Sequence, residues 1–250
     1  MSTSRFYLAP ERWRRESPEL DATDAHHCAD VLRLGAGDKV IIFDGEGHEA
    51  AADLLEVSRK QTLLSIGHRV ETPKPRRAIT LAQAVPKGKN MDLVIQKAVE
   101  LGASTIIPLL SERTVVKIED AEDAARKQER WQSIAIEACK QSGQNRMPLI
   151  GLPRTTKDFF RAPPEVDLIL IASLQPDSQP IKQTLSSYEA AQGALPESVV
   201  ILIGPEGDFT PAETEAALSA GAQAITLGPI ILRTETAAIY CLSVLGHELF

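Results

Sequence analysis

The stretch from Ser198 to Phe250 constrains the fold most, because its pattern predicts strand, turn, helix, strand, turn and helix in succession. Gly-Pro-Glu-Gly at 204–207 forms the first turn, and Gly228-Pro229 opens the second, each after a short apolar run. In an open α/β sheet such turns lie at the carboxyl ends of the strands, where backbone N–H groups and helix N-termini can hold a ligand. The stretch therefore predicts a ligand site at one edge of a sheet. Taken alone, the glycines are equally well explained as residues that permit the turns.

The helix between the two turns has clear start and stop signals. Thr210 is predicted to be its N-cap and Pro211 its first residue. Glu213 is predicted to be its third residue, which closes a capping box with Thr210. Gly221 ends it.

The same alternation of strands and helices extends upstream. Apolar runs at 78–85, 104–110 and 166–174 predict strands, and helical spacing of apolar residues predicts helices at 92–102 and 121–142. Strands and helices in this order predict a mainly parallel sheet covered on both faces.

The N-terminal part has a different pattern. Residues 38–70 form short apolar runs broken by Asp-Gly and Glu-Gly turns, and one helix is predicted over 24–34, ending near Gly35. The prolines at 73 and 75 indicate an extended linker. We therefore expect a small, mostly β domain at 1–72, a linker at 73–77 and an α/β domain at 78–250. A single large α/β domain is the alternative.

Composition excludes several classes of protein. The chain is 43% hydrophobic and 24% charged, typical of a globular protein, and it has neither a long apolar run nor a signal-peptide pattern at its start. We therefore expect a cytoplasmic location. Its three widely separated cysteines are expected to be reduced core thiols. The net charge of −7 argues against a nonspecific nucleic-acid coat but leaves room for a local basic face.

The usual catalytic signatures are missing. The turn at 204–207 is neither a P-loop nor a dinucleotide-binding turn, and no nucleophile elbow or metal-ligand spacing is present. His26 and His27 are adjacent, which favours a structural role for them. We therefore predict no metal site, and a site built from backbone turns plus Arg and Glu suits a cofactor that carries the reactive group itself.

Arg233 is the unusual residue of the second turn. It directly precedes a helix whose predicted N-cap is Thr234, beside Glu235 and Thr236. A helix N-terminus favours anions, so an arginine there is electrostatically unfavourable. Such a residue is either functional or paired with a carboxylate such as Glu206 or Glu235.

Five longer segments carry a resemblance to a known family. The chain resembles the ribosomal RNA small subunit methyltransferase E family, the uridine N3-methyltransferases of the SPOUT class. The segments are VLRLGAGDKVIIFDGEG (31–47), KGKNMDLVIQKAVELGASTIIPLLSERTV (87–115), RWQSIAIEACKQSGQNRMP (130–148), ILIGPEGDFT (201–210) and LGPIILRTETAA (227–238).

The resemblance implies much that periodicity does not. It implies a PUA-like β-barrel that helps to hold RNA, followed by a SPOUT-type α/β domain with a C-terminal trefoil knot. It also implies an obligate homodimer that uses S-adenosyl-L-methionine to methylate N3 of a uridine in small-subunit (16S) ribosomal RNA within the assembled ribosomal subunit. Ribose 2′-O-methylation and a noncatalytic RNA-binding assembly factor are the alternatives.

The same resemblance implies the site residues. Glu206 and Arg233 are the candidates for chemistry. The implied cofactor-binding residues are Leu174, Ile203, Gly204, Pro205, Glu206, Gly207, Leu227, Gly228, Leu232, Arg233, Thr234, Glu235, Thr236 and Ala237. The expected RNA-binding residues are Arg5, Arg33, Lys87, Lys89 and Arg146.

Three positions depart from the family pattern. Asp208 replaces the second glycine of the Gly-Gly pair in GPEGGF, Ile230 stands where an arginine usually precedes ILR, and Gln144 stands where arginine is common. Asp208 is still compatible with a turn, because Asp tolerates unusual backbone angles better than most residues.

Overall fold

The fold is described from a computed structural model, which covers residues 3–175 and 177–250. The chain divides into two compact units. The first runs to Lys74 and also includes Ile136–Met147, and the second consists of Pro75–Ala135 and Pro148–Phe250.

The first unit is built on a four-stranded sheet in the order β1-β2-β3-β4, in which β1 is parallel to β2 and the other pairs are antiparallel. This confirms the strand pattern predicted over 38–70. The elements are β1 (Arg5–Tyr7), α1 (Pro10–Trp13), α2 (Ala22–His26), β2 (Lys39–Phe43), β3 (His48–Val57) and β4 (Thr62–Glu71). Alternate strand residues form its core with Phe6, Leu8, Leu20 and Cys28.

The helix predicted over 24–34 is shorter than expected. The α-helix ends at His26, a π-helical turn spans His27–Val31, and Arg33 has a positive φ of 55°. The buried Cys28 lies in this turn and belongs to the core. The prediction that Cys28 is a core thiol is confirmed, but the local sequence pattern does not distinguish an α-helix from a π-helical turn.

Residues of the segment Ile136–Met147 are held in the first unit by polar contacts. Lys140 Nζ donates to Asp24 Oδ1 at 2.6 Å, and Asn145 Nδ2 donates to Thr72 Oγ1 at 2.7 Å. Burial raises the pKa of the Asp24 carboxyl, although the ammonium of Lys140 opposes this shift.

The second unit contains an eight-stranded sheet in the order β10-β12-β9-β11-β5-β6-β7, with β8 beside β6. Every strand pair in it is parallel, as predicted. The strands are β5 (Ala78–Ala84), β6 (Thr105–Leu110), β7 (Leu149–Ile150), β8 (Arg154–Thr155), β9 (Leu168–Ala172), β10 (Gln179–Pro180), β11 (Ser198–Ile203) and β12 (Gln223–Thr226). The helices are α3 (Asn90–Glu100), α4 (Ala121–Ser142), α5 (Thr156–Arg161), α6 (Ile181–Gln192), α7 (Pro211–Ser219) and α8 (Thr234–Leu249).

Both faces of this sheet are covered. Ala82 and Ala84 of β5 belong to a core cluster that includes Phe159 of α5 and Ala217 of α7. Gln83, between them in the strand, bonds instead to α8. Since successive strand residues point to opposite faces, α8 lies on the face opposite to α5 and α7.

The three cysteines are free and buried, as predicted. Burial raises the pKa of Cys139 to about 12, and burial likewise raises the pKa of Cys241 to about 12. These thiols therefore stay protonated at neutral pH and behave as core residues.

Within residues 3–175 and 177–250, no helix has the length and apolar character needed to span a membrane.

Glu213 fixes the start of α7 within the unit. The predicted capping box with Thr210 is confirmed. The same carboxylate, only 6% exposed, also accepts hydrogen bonds from Glu112 N at 3.0 Å and from Thr156 Oγ1 at 2.7 Å. One side chain thus joins α7 to the loop after β6 and to the start of α5.

We expect Glu213→Ala to lower the free energy of unfolding by about 3 kcal/mol, because it removes the cap and leaves buried donors unpaired. Urea denaturation measures this change. Glu215→Ala, on the exposed side of the same helix, serves as the control and should change stability by less than about 0.5 kcal/mol. Equal effects of the two substitutions would contradict the role given to Glu213.

Candidate active site

A cavity of about 420 Å³ lies at the carboxyl ends of three adjacent parallel strands of the second unit. Its walls come from the segments that follow β9, β11 and β12. The two glycine turns predicted from the sequence both reach it, although β9 lies between their strands in the sheet. The position agrees with the general rule that ligands bind outside the carboxyl ends of strands in open α/β sheets.

Most of the residues expected to bind a cofactor line this cavity. The lining includes Leu174, Ile203, Gly204, Pro205, Glu206, Leu227, Gly228, Leu232, Arg233, Thr234, Glu235 and Ala237. Gly207 and Thr236, also expected, are not among the lining residues. The sequence prediction did not include six others, namely Asn90, Ala172, Ser173, Asp208, Ile230 and Ile231.

The hydroxyl of Thr234 connects the two glycine turns. It donates to the carbonyl oxygen of Gly204 at 2.7 Å and accepts from Gln83 Nε2 at 2.9 Å. Gln83 is fully buried, and Thr234 is nearly so. These bonds fix the start of α8 against the turn that follows β11.

The predicted N-cap of this last helix is wrong by one residue. Thr234 is the first helical residue and Arg233 is the N-cap, with no capping bond from its side chain. The physical reason is that the Thr234 hydroxyl is used across the sheet edge, toward Gly204, and not by its own helix. Thr and Ser are common N-caps, so the residue type alone pointed to the wrong position.

Three further hydrogen bonds hold the Gly-Pro-Glu-Gly turn. Asp208 N donates to Pro205 O at 2.9 Å, which closes the turn. Lys87 N donates to Glu206 Oε1 at 2.9 Å, and Arg113 Nη1 donates to Gly207 O at 2.5 Å. Sequence reasoning missed the part played by Arg113, although it lies inside the segment 87–115 that carries the family resemblance.

Arg233 lies exposed at the cavity wall. Among the residues that the structure describes, its side chain forms no ion pair, so the pairing with Glu206 or Glu235 considered from the sequence is not observed. Glu235 is instead close to Asn90, whose Nδ2 lies 3.4 Å from Glu235 Oε2.

The five cations expected to contact RNA fall into two groups. Arg5 donates to Glu49 Oε2 at 2.8 Å and to Asn145 Oδ1 at 2.6 Å, and Arg146 donates to the carbonyl oxygens of Glu46 and Thr72. The remaining three, Arg33, Lys87 and Lys89, are exposed.

A small group of possible metal ligands occurs in the turn between β2 and β3. Ligand atoms of Asp44, Glu46 and His48 lie within 4.8 Å of one another. The buried Asp44 carboxylate already accepts from Arg69 Nη2 at 3.0 Å and lies 2.7 Å from His48 Nδ1. Because the guanidinium compensates its charge, we assign the group a structural role in the turn.

Comparison with known proteins places the chain in a family. The family model for the RNA methyltransferase domain matches residues 72–246, and that for the RNA methyltransferase PUA domain matches residues 20–66. Ribosomal RNA small subunit methyltransferase E of Bacillus subtilis is 34% identical over 238 residues, which cover 93% of this chain and 91% of the relative.

Solved structures agree over nearly the whole length. A methyltransferase from Legionella pneumophila in complex with bound SAM is 35% identical with a TM-score of 0.89, covering 99% of this chain and 98% of the other. Ribosomal RNA small subunit methyltransferase E from Neisseria gonorrhoeae, bound to S-adenosyl methionine, is 32% identical with a TM-score of 0.83 and the same coverage. The fold is thus an α/β methyltransferase domain preceded by a PUA-type domain, and the chain belongs to the ribosomal RNA small subunit methyltransferase E family.

Proposed function

We propose that this chain uses S-adenosyl-L-methionine to methylate N3 of one uridine in small-subunit ribosomal RNA. The observation that carries the proposal is that Glu206 and Arg233 both line one cavity, which two glycine turns help to form. Family membership supports the reaction class, because the related proteins are named as small-subunit ribosomal RNA methyltransferases.

The cavity suits this cofactor in size and chemistry. Its volume of about 420 Å³ falls in the range of small-molecule sites. Leu174, Ile203 and Leu232 offer apolar contacts for a purine ring, and Gly228, with a φ of 108°, exposes bare backbone. At Gly204 an added Cβ would lie 3.2 Å from Phe209 N, so a side chain there would require the turn to shift by a few tenths of an ångström. When bound, the cofactor supplies a methyl group on a sulfonium.

Methylation at N3 requires the loss of the N3 proton. A base or a positive charge beside the developing anion promotes this loss. Glu206 is suited to the first role: its Oε1 is held by Lys87 N, which orients the carboxylate and leaves Oε2 for the proton. Arg233 is suited to the second role, because it is a cation at the cavity wall without an ion-pair partner in the described part of the chain.

The proposal extends to the RNA and to a second copy of the chain. We assign residues 1–72 to holding RNA, 73–77 to the linker and 78–250 to methyl transfer. Exposed Arg33, Lys87 and Lys89 are the cations best placed to contact phosphate, while Arg5 and Arg146 would have to give up internal bonds. The substrate is the ribosomal RNA within the assembled small subunit.

The homodimer and the trefoil knot implied by the resemblance remain predictions. The exposed Ile230 and Ile231 are apolar surface that a second copy of the chain would cover.

We expect methyl transfer from labelled S-adenosyl-L-methionine to small ribosomal subunits that lack the modification. Mass analysis of the digested nucleosides should yield N3-methyluridine at one position. A ribose-methylated nucleoside would identify a 2′-O-methyltransferase instead. Absence of both transfer and cofactor binding in calorimetry would favour a noncatalytic assembly factor.

We expect Arg233→Ala to lower the methylation rate about 100-fold, because it removes the positive charge that stabilises the developing anion. Calorimetry should show cofactor binding close to that of the unchanged protein. Arg126→Ala, an exposed arginine on α4 outside the cavity, is the matched control and should leave the rate unchanged. A full methylation rate in Arg233→Ala would show that the role given to Arg233 is wrong.

A further inference from the structure

The wall of the cavity carries more acidic than basic side chains. Its lining contains three acidic residues, Glu206, Asp208 and Glu235, and one basic residue, Arg233. Hydrogen-bond donors to the acidic groups are uncharged, namely the backbone N–H groups of Lys87 and Phe209 and the amide of Asn90. In residues 3–175 and 177–250, none of the three forms an ion pair. The side chains that line the cavity therefore carry a net negative charge.

Asp208 is held by hydrogen bonds at both its backbone and its side chain. Its φ of 59° is unusual for a residue with a side chain, and its backbone N–H closes the turn on Pro205 O at 2.9 Å. The side chain is fixed as well, because Oδ1 accepts from Phe209 N at 2.8 Å. That oxygen lies 3.0 Å from the place where a Cβ on Gly204 would stand, so it packs against the turn that forms the wall.

The substrate and the product of methyl transfer differ in charge. S-adenosylmethionine carries a sulfonium cation, and S-adenosylhomocysteine, from which the methyl group has left, has a neutral thioether. Both share the same amino and carboxylate groups. A fixed negative charge near the cavity therefore attracts the methyl donor more strongly than the product.

We propose that Asp208 is a specificity-determining residue, whose negative charge makes the cavity prefer the cationic methyl donor over the neutral product. The inference rests on the proposed function, since it assumes that S-adenosylmethionine binds in this cavity. It gives a role to Asp208, which replaces the second glycine of the Gly-Gly pair in GPEGGF. We expect S-adenosylhomocysteine to inhibit the reaction less, because without the sulfonium charge it is not attracted by the Asp208 carboxylate.

The test is the ratio of two affinities in Asp208→Asn. Asparagine keeps the shape of the side chain, tolerates a positive φ and can still accept from Phe209 N, so the substitution removes charge and little else. Calorimetry at low ionic strength, where screening is weak, measures the Kd for S-adenosylmethionine and for S-adenosylhomocysteine. We expect the donor to bind about threefold to tenfold more weakly, with a clearly smaller change for the product.

Two further variants complete the test. Glu215→Gln removes the same charge from the exposed side of α7, outside the cavity, and should leave the ratio unchanged. Asp208→Gly restores the family residue and should shift the ratio in the same direction as Asp208→Asn, which also covers the case in which the asparagine variant does not fold.

The outcomes separate the inference from the function on which it rests. Equal weakening of both ligands, an unchanged ratio, or the same shift in Glu215→Gln would overturn the role given to Asp208. Failure of the unsubstituted protein to bind either ligand would count against the proposed function, and the inference would fall with it.

Discussion

The cavity depends on the two hydrogen bonds formed by the Thr234 hydroxyl. It accepts from the amide of Gln83 and donates to the carbonyl of Gly204, so strand β5, the turn after β11 and the start of α8 share one chain of hydrogen bonds. Because Gln83 and Thr234 are buried, removal of the hydroxyl would leave an N–H group of the Gln83 amide and the carbonyl oxygen of Gly204 unpaired away from water. One small side chain therefore links the two turns that line the cavity.

Much of the fold could be predicted because its long elements are strongly periodic. The bounds of α4 were predicted correctly, and the strands β5, β6 and β9 fall within or close to their predicted ranges. The two-residue strands β7, β8 and β10 could not be found, since two residues carry no period. Nor does local sequence show that Ile136–Met147 belongs to the first unit, because the contacts of Lys140 and Asn145 join residues far apart in the chain.

The cavity lining was predictable where its residues lie in one short stretch. The turn residues and Arg233 could be singled out because glycines, a carboxylate and an arginine stand together in sequence. Asn90 and Arg113 were missed, because their contacts with Glu235 and Gly207 join segments more than ninety residues apart. Thr234 was wrongly predicted to be the N-cap of α8 for a similar reason. Its hydroxyl donates to Gly204, which lies in the turn after β11 and is distant in sequence. No local pattern contains such information.

The membership of Ile136–Met147 in the first unit has a consequence for dividing the protein. Helix α4 begins among residues of the second unit, and its last turns, with Cys139 and Lys140, belong to the first. A fragment that starts at residue 78 would keep these turns but lose the Asp24 carboxylate that holds Lys140. Cutting at the proline linker would thus leave the end of α4, with the buried Cys139, separated from the rest of its own unit.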